Sequence, residues 1–321
     1  MALSAAVEPR ITAQTRLLVV APHPDDETIA NGLLIQSVRA VGGTVRVLLL
    51  TDGDNNPWPQ RWLERRWSIG AGERERWGHR RRAELAEALH RLDVPTTALQ
   101  SLGWPDMGVL DRLLQPDQSA LAELAAALDD FAPDLVAVPA LGDRHPDHGA
   151  AHVLLRMVLA RLGGTPRLLG YLVHGHDDGT PMPESPVTPA QQAAKQHALA
   201  AYASQLALSG GRLRRLAERP ERHAQPVASG AARVLPWRPS PLLWPRLRLT
   251  AASTSGLAQQ WPSACRAAAA RRAGRLAAGL AGGAGGGRLL RAAVAGLALA
   301  VDLRPLGLAR SVRLCAARRG G

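Results

Sequence analysis

"LLVVAPHPDDETIANG", Leu17–Gly32, decides the fold. Its opening is a short apolar run rich in Leu and Val, the pattern of a strand buried on both faces. The stretch from Glu27 to Gly43, "ETIANGLLIQSVRAVGG", reads as an amphipathic helix closed by Gly42 and Gly43. Between strand and helix stand His23, Pro24, Asp25, Asp26 and Glu27. A strand that only had to stop could do so with Asn-Gly or Pro-Gly. This one stops in a set of metal and proton ligands.

The same alternation runs outward from this stretch. "TVRVLLLTDG", "TALQSLGW", "DLVAVPA" and "PRLLGYLVHGH" read as further strands. "GHRRRAELAEALHRLDV", "QSALAELAAALDDFAPD", "GAAHVLLRMVLARLGG" and "TPAQQAAKQHALAAYASQLAL" read as helices. Buried strands alternating with helices predict an α/β fold: a Rossmann-like, doubly wound, mostly parallel sheet with helices on both faces. Such sheets bind ligands outside the carboxyl ends of their strands. The two densest polar clusters, His23–Glu27 and Asp143–His148, each follow a strand and are expected on the same edge. The dinucleotide fingerprint G-x-G-x-x-G does not follow the first strand.

The chain has 321 residues and a net charge of +12, which taken alone suggests a nucleic-acid or anionic-surface binder. The charge is unevenly spread. Residues 211–321 hold 20 Arg against Glu218, Glu221 and Asp302, a net of +17, which leaves −5 for residues 1–210. The expected organisation is a folded domain over 1–210 and an Arg/Ala/Gly/Pro-rich tail over 211–321. The tail's low complexity fits a disordered or partly helical segment, or a stretch translated out of frame. Both cysteines, Cys265 and Cys315, lie in it, so the domain uses no thiolate chemistry. The start of the chain has no basic segment leading into an apolar one, and a cytoplasmic location is expected.

Catalytic zinc takes three ligands from His, Asp or Glu and leaves a position for water. "HPDDE" offers His23 and Asp26; "HPDH" offers His145 and His148 around Asp147. Two strand-end loops in adjacent positions can close such a triad, and the surplus Asp25 can serve as general base on the water. The competing reading makes Asp26 and His148 helix caps. Asp143 reads as a turn residue or a support for a ligand, and His174 and His176 end a strand near the same edge. Trp58, Trp62, Trp67 and Trp77 mark a long loop after the second strand, with Arg61, Arg65 and Arg66 among them. That composition suits an anionic glycan or glycolipid, or a self-packed loop.

The pairing of "APHPDDE" with "HPDH" resembles the LmbE-like, or PIG-L, family of zinc-dependent N-acetylglucosaminyl deacetylases. "RRAELAEALHRLDV" is similar to that family's R-x-x-E helix at Arg81 and Glu84. "LGWPDMGV" is similar to its strand-end Asp at Asp106, and "KQHALAAYASQ" to its Lys-to-Ser-Gln helix at Lys195, Ser204 and Gln205. The resemblance covers roughly residues 15–208. It implies that His23, Asp26 and His148 bind Zn2+, a set that also suits Fe2+ or Co2+, and that Asp25 is the general base. It implies that His145 stabilises an oxyanion or handles a proton, and that Asp147 orients a neighbouring imidazole. Arg81 and Asp106 would contact sugar hydroxyls or shape the pocket.

The expected function is removal of an N-acetyl group from an N-acetylglucosamine glycoside or glycolipid. The expected partner is this small-molecule amino sugar, with no specific nucleic acid, and with membrane contact and oligomeric state left open. Two other readings stand beside it: a zinc amidase on a non-sugar or thiol-conjugate amide, and a binder of anionic polymers or membrane surfaces acting through the tail.

Overall fold

The computed structural model describes residues 11–114, 118–140, 143–162, 166–175 and 187–223, with four short backbone strands between 249 and 316. His176, Trp237, Trp244 and Cys265 lie outside the described residues. The chain divides into two compact units. The first comprises Met1–Val109, Ala126–Ala140 and Pro166–Pro226; the second comprises Leu110–Ala125, Leu141–Thr165 and Val227–Gly321.

The first unit is built on five strands: β1 (Arg16–Ala21), β2 (Thr44–Thr51), β3 (Leu99–Trp104), β4 (Leu135–Pro139) and β5 (Arg167–Tyr171). They pair in the order β3-β2-β1-β4-β5, every pair parallel. The order reverses at β1 and β4, so the gap between their carboxyl ends is the switch point where such sheets take ligands. In β1, Leu17 to Ala21 are buried without the alternation of a half-exposed strand, because helices cover the sheet. Each large apolar side chain so buried contributes about 1.5–3 kcal/mol.

Helix α1 (Asp26–Ala40) packs on β1 and β2 and against α7 (Pro189–Leu199) and α8 (Ala203–Glu218). Ile29, Leu34, Ile35 and Val38 of α1 join Leu85 and Leu89 of α3 (Ala71–Arg91) and Tyr202 in one core. The Tyr171 hydroxyl donates to the Val20 carbonyl at 2.7 Å, pinning β5 to β1 across β4.

Several boundaries differ from expectation for local reasons. The tryptophan loop holds a helix, α2 (Pro57–Glu64), which Asn56 caps by accepting the Trp58 N–H, with Pro57 in the first turn. α3 starts seven residues before the expected "GHRRR" run, where Glu73 Oε2 accepts the Gly70 N–H at 3.1 Å. The expected single C-terminal helix is two: α7, opened by the reciprocal Thr188–Gln191 cap, and α8 after a break at Ala200–Tyr202. α8 also runs across residue 210, where composition alone placed the domain boundary, and Glu221 and His223 beyond it are buried.

In the second unit, α6 (Pro146–Leu162) follows the Asp143–His145 turn. α4 (Val109–Leu114) and α5 (Gln118–Phe131) span the division between the units. Within the segment read as disordered or partly helical, the backbone forms strands β6 (Leu249–Ala252), β7 (Ala258–Trp261), β8 (Ala298–Asp302) and β9 (Val312–Ala316). They pair antiparallel in the order β7-β6-β8-β9. No helix among the described residues is long and apolar enough to cross a membrane.

Candidate active site

The first unit assembles five of the expected site residues around the β1–α1 turn. His23 is buried between two carboxylates: its Nδ1 lies 3.3 Å from Asp26 Oδ2, and its Nε2 lies 3.2 Å from Asp106 Oδ1. The His23 backbone N–H also donates to Asp26 Oδ2 at 2.9 Å. α1 begins at Asp26 itself, so this carboxylate sits at the positive end of the helix and faces back to the imidazole.

Asp25, one residue earlier, caps nothing with its side chain and holds φ at 105°. A non-glycine residue in the left-handed region costs about 1–3 kcal/mol and needs its surroundings to hold it there. Glu27 supplies one hold, accepting the Asp25 N–H at 3.1 Å. Glu27 is in turn fixed by hydrogen bonds from the Thr28 and Tyr202 hydroxyls.

Arg81 supplies the other hold. It is buried, its Nη1 donates to the Gly53 carbonyl at 2.7 Å, and its Nη2 donates to the Pro24 carbonyl at 2.6 Å and lies 3.3 Å from Asp25 Oδ2. These donors bind the protein's own turns beside Asp25, where the resemblance implied that Arg81 contacts sugar hydroxyls or shapes the pocket. Gly53 is required here: with φ at 63°, a Cβ at this position would lie 1.6 Å from Arg81 Nη1.

The electrostatics separate the carboxylates. Burial pushes the Asp25 carboxyl up to about 7; Arg81 opposes this, and Asp26 and Glu27 add to it. Burial also acts to raise Asp106, but the hydrogen bond and charge of His23, with the Arg81 guanidinium and the Asn55 N–H, outweigh it. They hold Asp106 well below the usual carboxylate range. One acid is thus poised to exchange a proton near neutrality while another stays charged.

The second unit holds the other expected residues at the start of α6. His148 is fully buried and its Nδ1 lies 3.2 Å from Asp143 Oδ2. Asp143 Oδ1 accepts the His145 N–H at 2.9 Å. The His145 and His148 rings are tilted, with centroids 5.0 Å apart. Asp143, the residue read as a turn or supporting group, thus brings a carboxylate to the His148 ring. Asp147, expected to orient an imidazole, is buried; its Oδ1 accepts the Leu110 N–H at 3.2 Å and its own N–H meets His145 Nδ1 at 3.3 Å.

The remaining motif residues form the frame behind the first cluster. Ser204 donates to Glu84 through both its N–H and its hydroxyl. Lys195, fully buried, pairs with Glu221 Oε1 at 2.7 Å. Glu221 also accepts the N–H groups of Leu33 and Leu34 at 2.8 and 3.1 Å, in the middle of α1. The His174 Nδ1 meets Arg212 Nη2 at 3.3 Å. Sequence reasoning missed Tyr202 and Glu221 and gave Glu27 no role of its own. Glu27 was readable only as one more acid in the turn, and Glu221 was hidden in the arginine-rich stretch.

The donor set of the first cluster suits a small divalent cation. Tetrahedral ligands about 2.0–2.2 Å from such an ion stand about 3.3 Å apart, and His23 Nδ1 and Asp26 Oδ2 keep that spacing. Both are buried, as ligands of an enclosed site are.

Residues 18–159 match the family model described as PIG-L, GlcNAc-PI de-N-acetylase. The chain is similar to the 1D-myo-inositol 2-acetamido-2-deoxy-alpha-D-glucopyranoside deacetylase of Mycobacterium sp. (strain KMS), 36% identical over 151 residues, 43% of this chain and 47% of the relative. It is similar to the enzyme of the same name from Mycolicibacterium vanbaalenii, 34% identical over 171 residues, 48% of this chain and 57% of the relative. The chain spans about half the length of the curated relatives it matches. Its fold is similar to that of a deacetylase triple mutant of the teicoplanin biosynthetic pathway, with a TM-score of 0.50 and 22% identity over 64% of this chain and 88% of that one.

Proposed function

We propose, from the premise that residues 18–159 form a PIG-L family domain, that this protein is a metal-dependent hydrolase removing the N-acetyl group of an N-acetylglucosamine glycoside, acting in the cytoplasm. The observation that carries the reading is the geometry of Asp25: a mostly buried carboxylate held in left-handed backbone by Arg81, beside a His–Asp pair with metal-ligand spacing. The relatives act on a 2-acetamido-2-deoxy-glucopyranoside of inositol by their names, which sets the substrate class to test.

His23, Asp26 and His148 would hold the metal in this proposal. β1 and β4 are parallel neighbours in the sheet, and each is followed in the chain by a His-Pro-Asp turn. The donor set accepts Zn2+, Fe2+ or Co2+. When bound, the metal supplies a Lewis acid for the acetamide carbonyl and makes a water acidic enough to lose a proton near neutrality.

The chain's own groups do the rest. Asp25 accepts the proton of the attacking water. Arg81 is a positioning residue that keeps the Asp25 carboxylate and the Pro24 peptide in place. Asp106 and Asp143 orient the His23 and His148 rings. His145 stabilises the oxyanion and passes a proton to the leaving amine. Asp147, with its ties to Leu110 and His145, supports that loop.

The test is acetate release from a panel of N-acetylglucosaminides by the metal-loaded protein, with Asp25→Asn as control. Release by the wild type that is lost in the variant while metal still binds is the expected result. No release from any sugar despite stoichiometric metal overturns the sugar substrate and leaves an amidase on another amide. Failure to bind a divalent ion overturns the metal mechanism.

A further inference from the structure

Helix α2 carries surface chemistry that the proposed reaction does not use. One face of it is fastened down: Pro59 and Gln60 are buried, and Gln60 Nε2 donates to the Glu73 carbonyl at 2.7 Å. Helical spacing then sets Trp58, Arg61, Trp62 and Arg65 on the other side, at i, i+3, i+4 and i+7. The indoles of Trp58, Trp62 and Trp67 are 60%, 65% and 94% exposed. Aromatic residues are 3% of the chain, so three bare indoles within ten residues are a concentration, not a scatter. Clusters of this kind mark an interaction surface.

The charge around the indoles has one sign where it is unspent. Arg61 lies 5.1 Å from the Trp58 ring centroid, which keeps a guanidinium beside an indole. Arg65, exposed in the left-handed C-cap, has no acidic partner among the described residues. The acids nearby are engaged: Glu64 accepts from Gln60 and Arg76, and Glu73 pairs with Arg66.

We propose that α2 and the turn after it dock on the anionic headgroup layer of a lipid bilayer. Indoles seat at the headgroup level because one edge of the ring is apolar and the other carries an N–H donor. A short amphipathic segment with arginines beside them lies in that plane and is drawn to negative lipid. A sugar ring would ask for a concave wall with polar groups along it. Trp67 at 94% exposure stands clear of neighbouring side chains, which suits insertion between lipids.

The docking face is also placed to matter for the site. Asn55, just before α2, donates its N–H to Asp106 at 2.9 Å, and Asp106 holds the ring of His23. The face that meets lipid and the cluster around Asp25 share the carboxyl edge of the sheet.

The experiment uses the whole 321-residue chain and vesicles of equimolar phosphatidylcholine and phosphatidylglycerol with brominated acyl chains. Tryptophan emission of the wild type is expected to shift to the blue and be quenched. In a Trp58→Ser, Trp62→Ser, Trp67→Ser variant both effects should vanish and vesicle affinity should fall roughly tenfold or more. The arginine-rich residues 211–321 attract the same vesicles by charge, so the comparison is repeated at high salt, where that attraction is screened and indole insertion persists. A thermal melt verifies that the variant is folded. Equal affinity of variant and wild type would overturn the proposal, as would vesicle binding without quenching. Protection of the indoles by a soluble oligosaccharide, with vesicles leaving emission unchanged, would assign the surface to glycan instead.

Discussion

Arg81 Nη2 lies 3.3 Å from Asp25 Oδ2 and donates to the Pro24 carbonyl at 2.6 Å, so one guanidinium holds both the carboxylate of Asp25 and the peptide that sets its left-handed backbone. The same charge lowers Asp25 against the upward push of burial. Replacing Arg81 with Gln removes the charge and raises Asp25 further. A base must be ionised to act, so the acid-side limb of the kcat/KM profile should move to higher pH, with the rate at neutrality down about 10²-fold. Arg81→Lys keeps the charge without the fork, and should return the limb while leaving part of the rate loss.

Asp25→Asn leaves the size of the side chain and removes its ability to take a proton. We expect a loss of about 10²–10⁴-fold in kcat with metal content unchanged. Single-turnover acetate release alongside metal analysis distinguishes this from simple loss of the ion.

His23→Ala and Asp26→Ala should behave differently from Asp25→Asn, since each removes a proposed donor. Divalent metal per chain should fall well below that of the wild type after dialysis. Chelation of the wild type should abolish acetate release, and re-addition of Zn2+, Co2+ or Fe2+ in turn should restore it to different extents.

Lys195 and Glu221 form a buried ion pair at 2.7 Å. Lys195→Met strands a carboxylate, and breaking such a pair from one side costs about 3–5 kcal/mol. Urea unfolding should show this loss, and Lys195→Met with Glu221→Gln should recover part of it.

His223 is buried, with its Nε2 2.9 Å from Asn31 Oδ1. Burial, with the charge of Lys195, lowers the imidazole below its ordinary value of about 6.5, against the opposing charge of Glu221. The unfolded chain therefore binds a proton that the folded chain refuses. The stability this confers is complete above about 6.5 and is lost as pH falls toward the folded value. Melting temperature should drop with acidification over that window, and less steeply in His223→Gln.

The sheet was legible because β1, β2 and β4 are apolar runs with no competing period, and because each parallel strand needs a helical crossover that leaves its own stripe. The two His-Pro-Asp turns were legible because few local rules ask for that composition at a strand end. Long-range pairings were not. Nothing adjacent to Glu27 announces Tyr202, 175 residues away, and nothing in "AERPERH" says that its second Glu reaches a buried lysine. Asp143 and Asp147 flank His145 almost symmetrically in sequence, and only the turn before α6 brings Asp143 to the His148 ring. The loop around Trp58 looked irregular because Pro57 and Pro59 disguise a helix whose cap is Asn56.

Glu221 takes two backbone N–H groups from the middle of the helix that begins with Asp26, and this bears on how the protein can be shortened. A deletion drawn where the composition changes, at residue 211, cuts α8 in half and removes Glu221 and His223 together. It leaves Lys195 without its partner carboxylate and takes a side-chain acceptor from two amides of α1. Inactivity of that deletion would report an unlatched helix behind the proposed site rather than a catalytic contribution from the arginine-rich stretch. A cut placed after His223 keeps the latch and asks the question about the tail alone.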